Sequence, residues 1–568
     1  MSPSKRFGRT VTSVSVARRS SQGAGTDVSD ASNNDPVDVL IIGAGASGAA
    51  IAWSLTETRM HILCLEQGGW MTPSRYPSTR ENYETEQLIG AFNPDPNVRG
   101  LATDYPVNTA DSPIDVLNYN AVGGSTINYA AHFPRLHPSD FRVHSDDGVA
   151  DDWPISYDDL DPFFAQNDRI MGVSGLAGDP MYPPKDPPLP PLPIGRMGQV
   201  IADGCDRLGW HWWPSDASII SAPYDGRDKC LNLNPCLTGC AQGAKASVDI
   251  TYWPQAIRAG VELKTGCRVR EIALNEHGMA KGVIYYDEDG RECFQAAEVV
   301  ILACNGVGTP RLLLNSTSAE FPDGLANRSG QVGRNLMFHP VARVTGFFPE
   351  RLDTHIGPQG TCILSKEFYE TDLERGFVRG YNLQVVRGAA GPLATALQGL
   401  QAGRIPWGPG HHTAFAERFD HSATIVVMAE DLPEAHNRVT LDPEFTDGHG
   451  IPAPKISYTV SENSRRILDH GMASSRELML AAGAHEVESS ALMRNAGWHL
   501  LGTARMGRDP ETSVVNDWGR SHDVRNLFIV DGSLFVTAGA VNPTSTIQAL
   551  ALYIGDRIKR NLANLFDD

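Results

Sequence analysis

The sequence predicts an α/β fold, α+β overall: a Rossmann-like nucleotide-binding domain into which a mixed-sheet substrate-binding domain is inserted. Three observations predict it. Val37–Ile42 is a run of mostly β-branched and aliphatic residues that ends at glycine. Gly43-Ala-Gly-Ala-Ser-Gly48 follows it directly, and Ala49–Leu55 then has helical spacing before a second aliphatic run, His61–Glu66.

The first run has the pattern of a strand buried on both faces, and is expected at the centre of the sheet. Strand, helix and second strand form one βαβ unit. In the glycine turn, Gly43 permits the tight bend, Gly45 lets the backbone approach a pyrophosphate, and Gly48 lets helix pack on strand. The helix N-terminus adds free N–H groups and a partial positive charge. Glu66 closes the second strand at about the 20-residue spacing at which an acid meets ribose hydroxyls. A plain structural turn would also use glycine, but strand, helix, strand and acid in register indicate a dinucleotide, NAD or FAD.

Glu298–Ala303 and Asn526–Asp531 are two further short aliphatic strands expected in the same sheet. Residues 345–490 alternate strand-like and loop-like stretches without glycine fingerprints, which suits a separate substrate layer. The expected organisation is a disordered tail at 1–35, the first part of the nucleotide domain at 36–344, the substrate-binding domain at 345–490, and the remainder of the nucleotide domain at 491–568. Met181–Pro193 is too rich in proline for helix or central strand and reads as an extended connector.

The 568 residues are 41% apolar and 20% charged, ordinary for a globular protein, and they exclude collagen-like and disordered classes. Lys plus Arg number 48 against 67 Asp plus Glu, and the net charge of −19 repels polyanions, so no nucleic-acid partner is expected. No run reaches the roughly 18 apolar residues of a transmembrane segment. Residues 1–35 are rich in Ser and Arg with no acid before Asp27, a composition shared by disordered tails and transit peptides. The expected location is cytoplasmic, or periplasmic by co-export with a partner.

Three motifs carry a resemblance: Asn120-Ala-Val-Gly-Gly-Ser-Thr-Ile-Asn128, Gly306–Asn315, and a C-terminal block with His499-Leu-Leu-Gly-Thr503, Val530-Asp-Gly-Ser533 and Val541-Asn-Pro-Thr-Ser-Thr-Ile-Gln548. Over about residues 37–565 the chain resembles the glucose–methanol–choline (GMC) oxidoreductases. The resemblance implies FAD, a flavin domain made from both chain ends, and oxidation of a CH–OH group by hydride transfer to flavin N5. It implies His499 as the base and Asn542 as its partner. A neutral imidazole, with pKa near ~6.5, suits removal of a hydroxyl proton as hydride leaves.

It further implies a cofactor set of Gly43, Gly45, Ser47, Gly48, Glu66, Gly123, Gly124, Ser125, Asn128, Val269, Asp531, Gly532, Asn542, Pro543 and Thr544. Asn128 is expected at the ring edge, Asp531 near the ribityl or phosphate region, and Val269 near adenine. Some relatives tether FAD through a His in the glycine segment. Residues 123–131 contain none and His132 lies beyond them, so FAD is expected to be non-covalent.

Nine cysteines, an odd number in a long chain, argue against a disulfide scaffold. Cys230, Cys236 and Cys240 share one loop, spaced to share a metal centre, and three thiolates suit a three-iron cluster. The pattern is similar to catalytic subunits of bacterial FAD-dependent sugar and gluconate dehydrogenases, which implies a [3Fe–4S] cluster, a small escort subunit and a cytochrome. Reduced loop thiols and a zinc site short of a ligand remain open readings of the same spacing. The leading functional reading is a dehydrogenase of sugars, polyols or glycosides with a non-oxygen acceptor. A peroxide-forming alcohol oxidase, possible on aryl alcohols, and a non-redox FAD lyase are its rivals. His411, His412 and Arg418 lie in a glycine-rich stretch read as a solvated loop.

Overall fold

A computed structural model describes residues 33–388 and 391–566. Most of the expected 1–35 tail lies outside the described residues. The α/β expectation holds: one sheet of seven strands and one of six dominate the architecture.

In the larger sheet, Asn33–Ile42 runs parallel to Ile62–Leu65 on one side and to Glu292–Leu302 on the other, so it is central as its aliphatic run requires. Glu262–Lys264 extends one edge. The strand Glu292–Leu302 is 11 residues long and serves two neighbours on its far side. Its first half pairs antiparallel with Ala280–Tyr286, its last three residues pair parallel with Leu527–Ile529. Both later aliphatic runs thus join the first sheet. The helices Ala46–Leu55 and Thr544–Arg560, from opposite chain ends, pack on each other, and a Cβ at Gly555 would sit 2.5 Å from Ser54 Oγ.

The second sheet has the order Glu486–Ser490, Val341–Phe347, Ser422–Ala429, Tyr381–Arg387, Gly360–Ser365, Trp213–Pro214. Every pairing in it is antiparallel. Mixed pairing lies in the nucleotide sheet and in a three-stranded sheet, where Pro452–Ser457 pairs antiparallel with Arg438–Thr446 and parallel with Asn108–Asp111. Alternation with period two divides the residues of the second sheet. Ala342, Val344, Leu383, Val385, Ile425 and Val427 pack into an apolar core with the helices Gly195–Leu208 and Glu462–Ala481. Their neighbours Val341, Arg343, Gln384, Val386, Thr424, Val426 and Met428 face a cavity between this sheet and the glycine turns. Met181–Pro193 holds no helix or strand, as its prolines require. No helix among the described residues is long and apolar enough to cross a membrane.

Candidate active site

The cavity encloses about 780 Å³ and runs from the glycine turn to the second sheet. Two glycine segments form its floor. Gly43 has φ +102°, and a Cβ there would lie 2.6 Å from the Ala303 carbonyl oxygen. A Cβ at Gly48 would lie 1.9 Å from Gly43 O, so the helix can seat on the turn only with glycine. Gly123 N–H donates to Ala44 O at 3.0 Å, and a Cβ on Gly124 would meet Gly45 Cα at 2.9 Å, so the two segments touch backbone to backbone. Gly45 itself stays open toward the cavity. Glu66 is buried, its oxygens accepting Ala44 N–H and Gly68 N–H at 2.8 Å each, and burial pushes its carboxyl above the usual range.

At the other end, a chain of side chains fixes the protonation of His499. His339 Nε2 lies 2.7 Å from the Gly539 carbonyl, which can only accept, so that nitrogen carries the hydrogen. Burial lowers the pKa of His339 to about 4, so the ring is neutral and its Nδ1 is a lone pair. His499 Nδ1 lies 2.9 Å from that lone pair and must donate to it. His499 is itself held neutral, its pKa well below the usual histidine value through burial first and then the neighbouring His339 and His132. Its Nε2 is therefore an unprotonated lone pair.

Asn542 faces it, with Nδ2 at 3.4 Å from His499 Nε2. The amide is fixed in this sense because its Oδ1 accepts from Gln384 Nε2 and His132 Nδ1, each at 2.8 Å. The backbone that carries Asn542 is tied to the second sheet, since Ala540 N–H donates to Tyr369 Oη at 3.1 Å and Asn382 donates to Ala540 O. A hydroxyl placed between these side chains finds one acceptor and one donor.

Three cysteines sit in the loop beside the cavity. Cys230, Cys236 and Cys240 lie near enough to interact electrostatically. Lys245 Nζ ties the loop to the cavity wall, donating to Cys236 O, Ile127 O and Tyr129 O at 2.7, 2.7 and 2.9 Å. Among the described residues no group of three or more His, Cys, Asp or Glu side chains converges on a site for a single metal ion. All nine cysteines are free thiols.

The family signature described as GMC oxidoreductase matches in two parts, residues 37–341 and 433–551. The chain belongs to the GMC oxidoreductases. It is 42% identical over 545 residues to 2-methyl-1,2-propanediol dehydrogenase of Mycolicibacterium austroafricanum, covering 94% of this chain and 97% of that protein. It is 29% identical to the fructose dehydrogenase large subunit of Gluconobacter japonicus, over 92% of this chain and 98% of the relative. The fold matches the crystal structure of pyridoxine 4-oxidase from Mesorbium loti with a TM-score of 0.64 at 17% identity, covering 92% and 99% of the two chains. This GMC oxidoreductase is thus an oxidoreductase enzyme, and its family implies FAD.

The residues present fit such a group. Asn128 Oδ1 and both amide atoms of Asn118 are buried without a partner among the described residues, and both side chains line the cavity. The helices beginning at Ala46 and Thr544 open onto the cavity with no acid in their first turns. Of the expected cofactor set, Gly43, Gly45, Ser47, Glu66, Gly124, Ser125, Asn128, Val269, Asp531, Gly532, Asn542, Pro543 and Thr544 are on the wall. Gly48 and Gly123 are not, and they shape the turns behind it. Asp531 is on the wall, but its oxygens already accept Ser533 N–H and Oγ–H, Asn305 N–H and Thr309 Oγ–H, so it braces the loop.

The sequence missed His339, Gln384 and the position of His132, which joins Asn542 although it lies past the glycine segment. His411 and Arg418 bound a helix, not a loop, and neither they nor His412 line the cavity.

Proposed function

We propose that this enzyme oxidises a CH–OH group of a small polyol, diol or sugar-like alcohol and hands the electrons to an acceptor other than oxygen. The substrate hydroxyl donates to His499 Nε2 and accepts from Asn542 Nδ2. His499 removes the hydroxyl proton, which raises the electron density on oxygen and makes the carbinol hydrogen leave as hydride. FAD, when bound, supplies the hydride acceptor. Gln384 and His132 keep the Asn542 N–H aimed at the oxygen. The observation that carries this reading is the lone pair on His499 Nε2, fixed by the chain through His339 to Gly539 and facing an amide donor.

The dehydrogenase sense is supported by the names of the two relatives, and residues 345–490 serve as the substrate-binding domain in this reading. Cys230, Cys236 and Cys240 would hold a [3Fe–4S] cluster, whose chemistry is one-electron relay. The partner implied is an escort subunit with a cytochrome, in line with the word "large subunit" in one relative's name. The test is anaerobic: 2-methyl-1,2-propanediol or fructose added to the purified yellow protein should bleach the flavin. Rapid oxygen consumption during turnover would refute the acceptor assignment, and a flavin that no alcohol bleaches would refute the reaction. Iron content unchanged in Cys236→Ser would refute the cluster.

A further inference from the structure

Arg343 lies on the strand Val341–Phe347 and faces the cavity. Among the described residues its guanidinium makes no hydrogen bond and no ion pair. The acid whose charge it feels is Glu488. That carboxylate is taken up by Arg418 at 2.9 Å and Arg404 at 3.6 Å, and Glu486 likewise meets Arg404 at 3.0 Å and Arg418 at 3.5 Å. Two acids therefore serve two other arginines, and Arg343 is the third cation, left without a neutralising partner. Burial lowers its pKa, yet a guanidinium stays protonated near neutral pH. A partly buried charge with no partner is costly, and such a group in a cavity wall is a place for an anion.

Register fixes where it lies relative to the chemistry. Gln384 is opposite Val426, and Val426 is opposite Arg343, so the three share one face of the sheet. With strands ~4.8 Å apart, the Arg343 Cα is about 10 Å from that of Gln384. Gln384 is the residue that holds the Asn542 amide. A substrate whose carbinol sits at His499 and Asn542 thus meets Arg343 a few carbons away.

Building on the alcohol-oxidation reading above, we infer that the substrate is a hydroxycarboxylate whose carboxylate docks on Arg343. A single negative charge matches the one charge left over on Arg343, whose guanidinium can bind it through two parallel N–H donors. A dianionic phosphate would bring a second charge toward Glu486 and Glu488 with no cation left to meet it.

The experiment compares matched pairs, a straight-chain hydroxycarboxylate of about four to six carbons and its neutral methyl ester, by rapid anaerobic flavin bleaching, with FAD content confirming the fold of each variant. The wild-type enzyme should favour the acid in kcat/KM. Arg343→Gln should reduce that preference roughly 10- to 100-fold, chiefly through KM, and Arg343→Lys should restore part of it. A wild-type enzyme without the preference, or a Gln variant that weakens acid and ester equally, overturns the inference. So does a phosphorylated alcohol that outperforms the carboxylate. Titration with butyrate reads the same contact without turnover. A shift of the flavin spectrum that Arg343→Gln abolishes supports the assignment, and no shift, or an equal one, overturns it. Should no alcohol of either charge bleach the flavin, the reaction falls while this titration still decides the role of Arg343.

Discussion

Removing the His339 ring tests the tautomer argument most sharply. In the intact site the wrong tautomer of His499 is penalised twice. Its Nδ1 lone pair would face the lone pair of His339, and its Nε2–H would face the N–H of Asn542. His339→Ala removes the first penalty and leaves the second, and it strands the His499 Nδ1–H without its acceptor. The lost buried hydrogen bond is worth about 1–3 kcal/mol, and at 1.4 kcal/mol per tenfold this predicts a flavin-reduction rate lower by roughly 5- to 100-fold. Stopped-flow anaerobic reduction at saturating substrate reads it directly.

Two conservative variants separate this role from simple anchoring of the Gly539 loop. The carbonyl of Asn occupies the place of Nδ1, so His339→Asn keeps an acceptor for His499 and loses the bond to Gly539. The amide nitrogen of Gln occupies the place of Nε2, so His339→Gln keeps the bond to Gly539 and loses the acceptor. If His339 acts through the His499 tautomer, the Asn variant should be the faster. A faster Gln variant, or an Ala variant with full FAD and an unchanged rate, would refute the reasoning.

Other consequences are equally direct. His499→Ala should retain FAD and lose about 10²–10⁴-fold in reductive rate, the usual loss for a general base, and unchanged flavin reduction would remove it from the chemistry. The His499 pKa is lowered, so the ring stays neutral as pH falls through 6.5 and is protonated only in more acid solution. The reductive rate should therefore stay flat from pH 8 down through 6.5 and fall only in distinctly more acid solution, and an inflection near 6.5 in stopped-flow profiles would contradict it. Gly48→Ala places a methyl 1.9 Å from Gly43 O, so it should release FAD and lower the melting temperature; retained flavin absorbance after gel filtration would show that the turn gives way cheaply.

What was legible in the sequence is what is local in the chain. The turn at Gly43–Gly48, the strands around it and the His499 motif each concentrate their signal within a few residues, because strand, turn and helix must follow one another to make an anion-binding end. The proton-holding network is not local. His339 is 160 residues from His499, and His132 is 410 residues from Asn542. No spacing rule links positions that meet only after two sheets have closed on a cavity. The direction of the second sheet was hidden for the same reason, since it depends on which strands pair and not on what each contains.

One signal was nevertheless available. In Tyr381-Asn-Leu-Gln-Val-Val-Arg387 and Val341-Ala-Arg-Val-Thr-Gly-Phe347, polar or charged residues two apart interrupt an aliphatic strand, Asn382 and Gln384 in the first and Arg343 and Thr345 in the second. A strand whose one face packs on helices and whose other face met only solvent would not bury glutamine at 5% exposure, as Gln384 is. Polar residues alternating with a fully buried apolar set therefore mark a strand that faces an internal chamber, and the strand register then places Gln384 and Arg343 on the same wall. The positioning amide of Gln384 and the unpaired guanidinium of Arg343 are then two readings of one pattern: the first is satisfied by Asn542, and the second is left for the ligand.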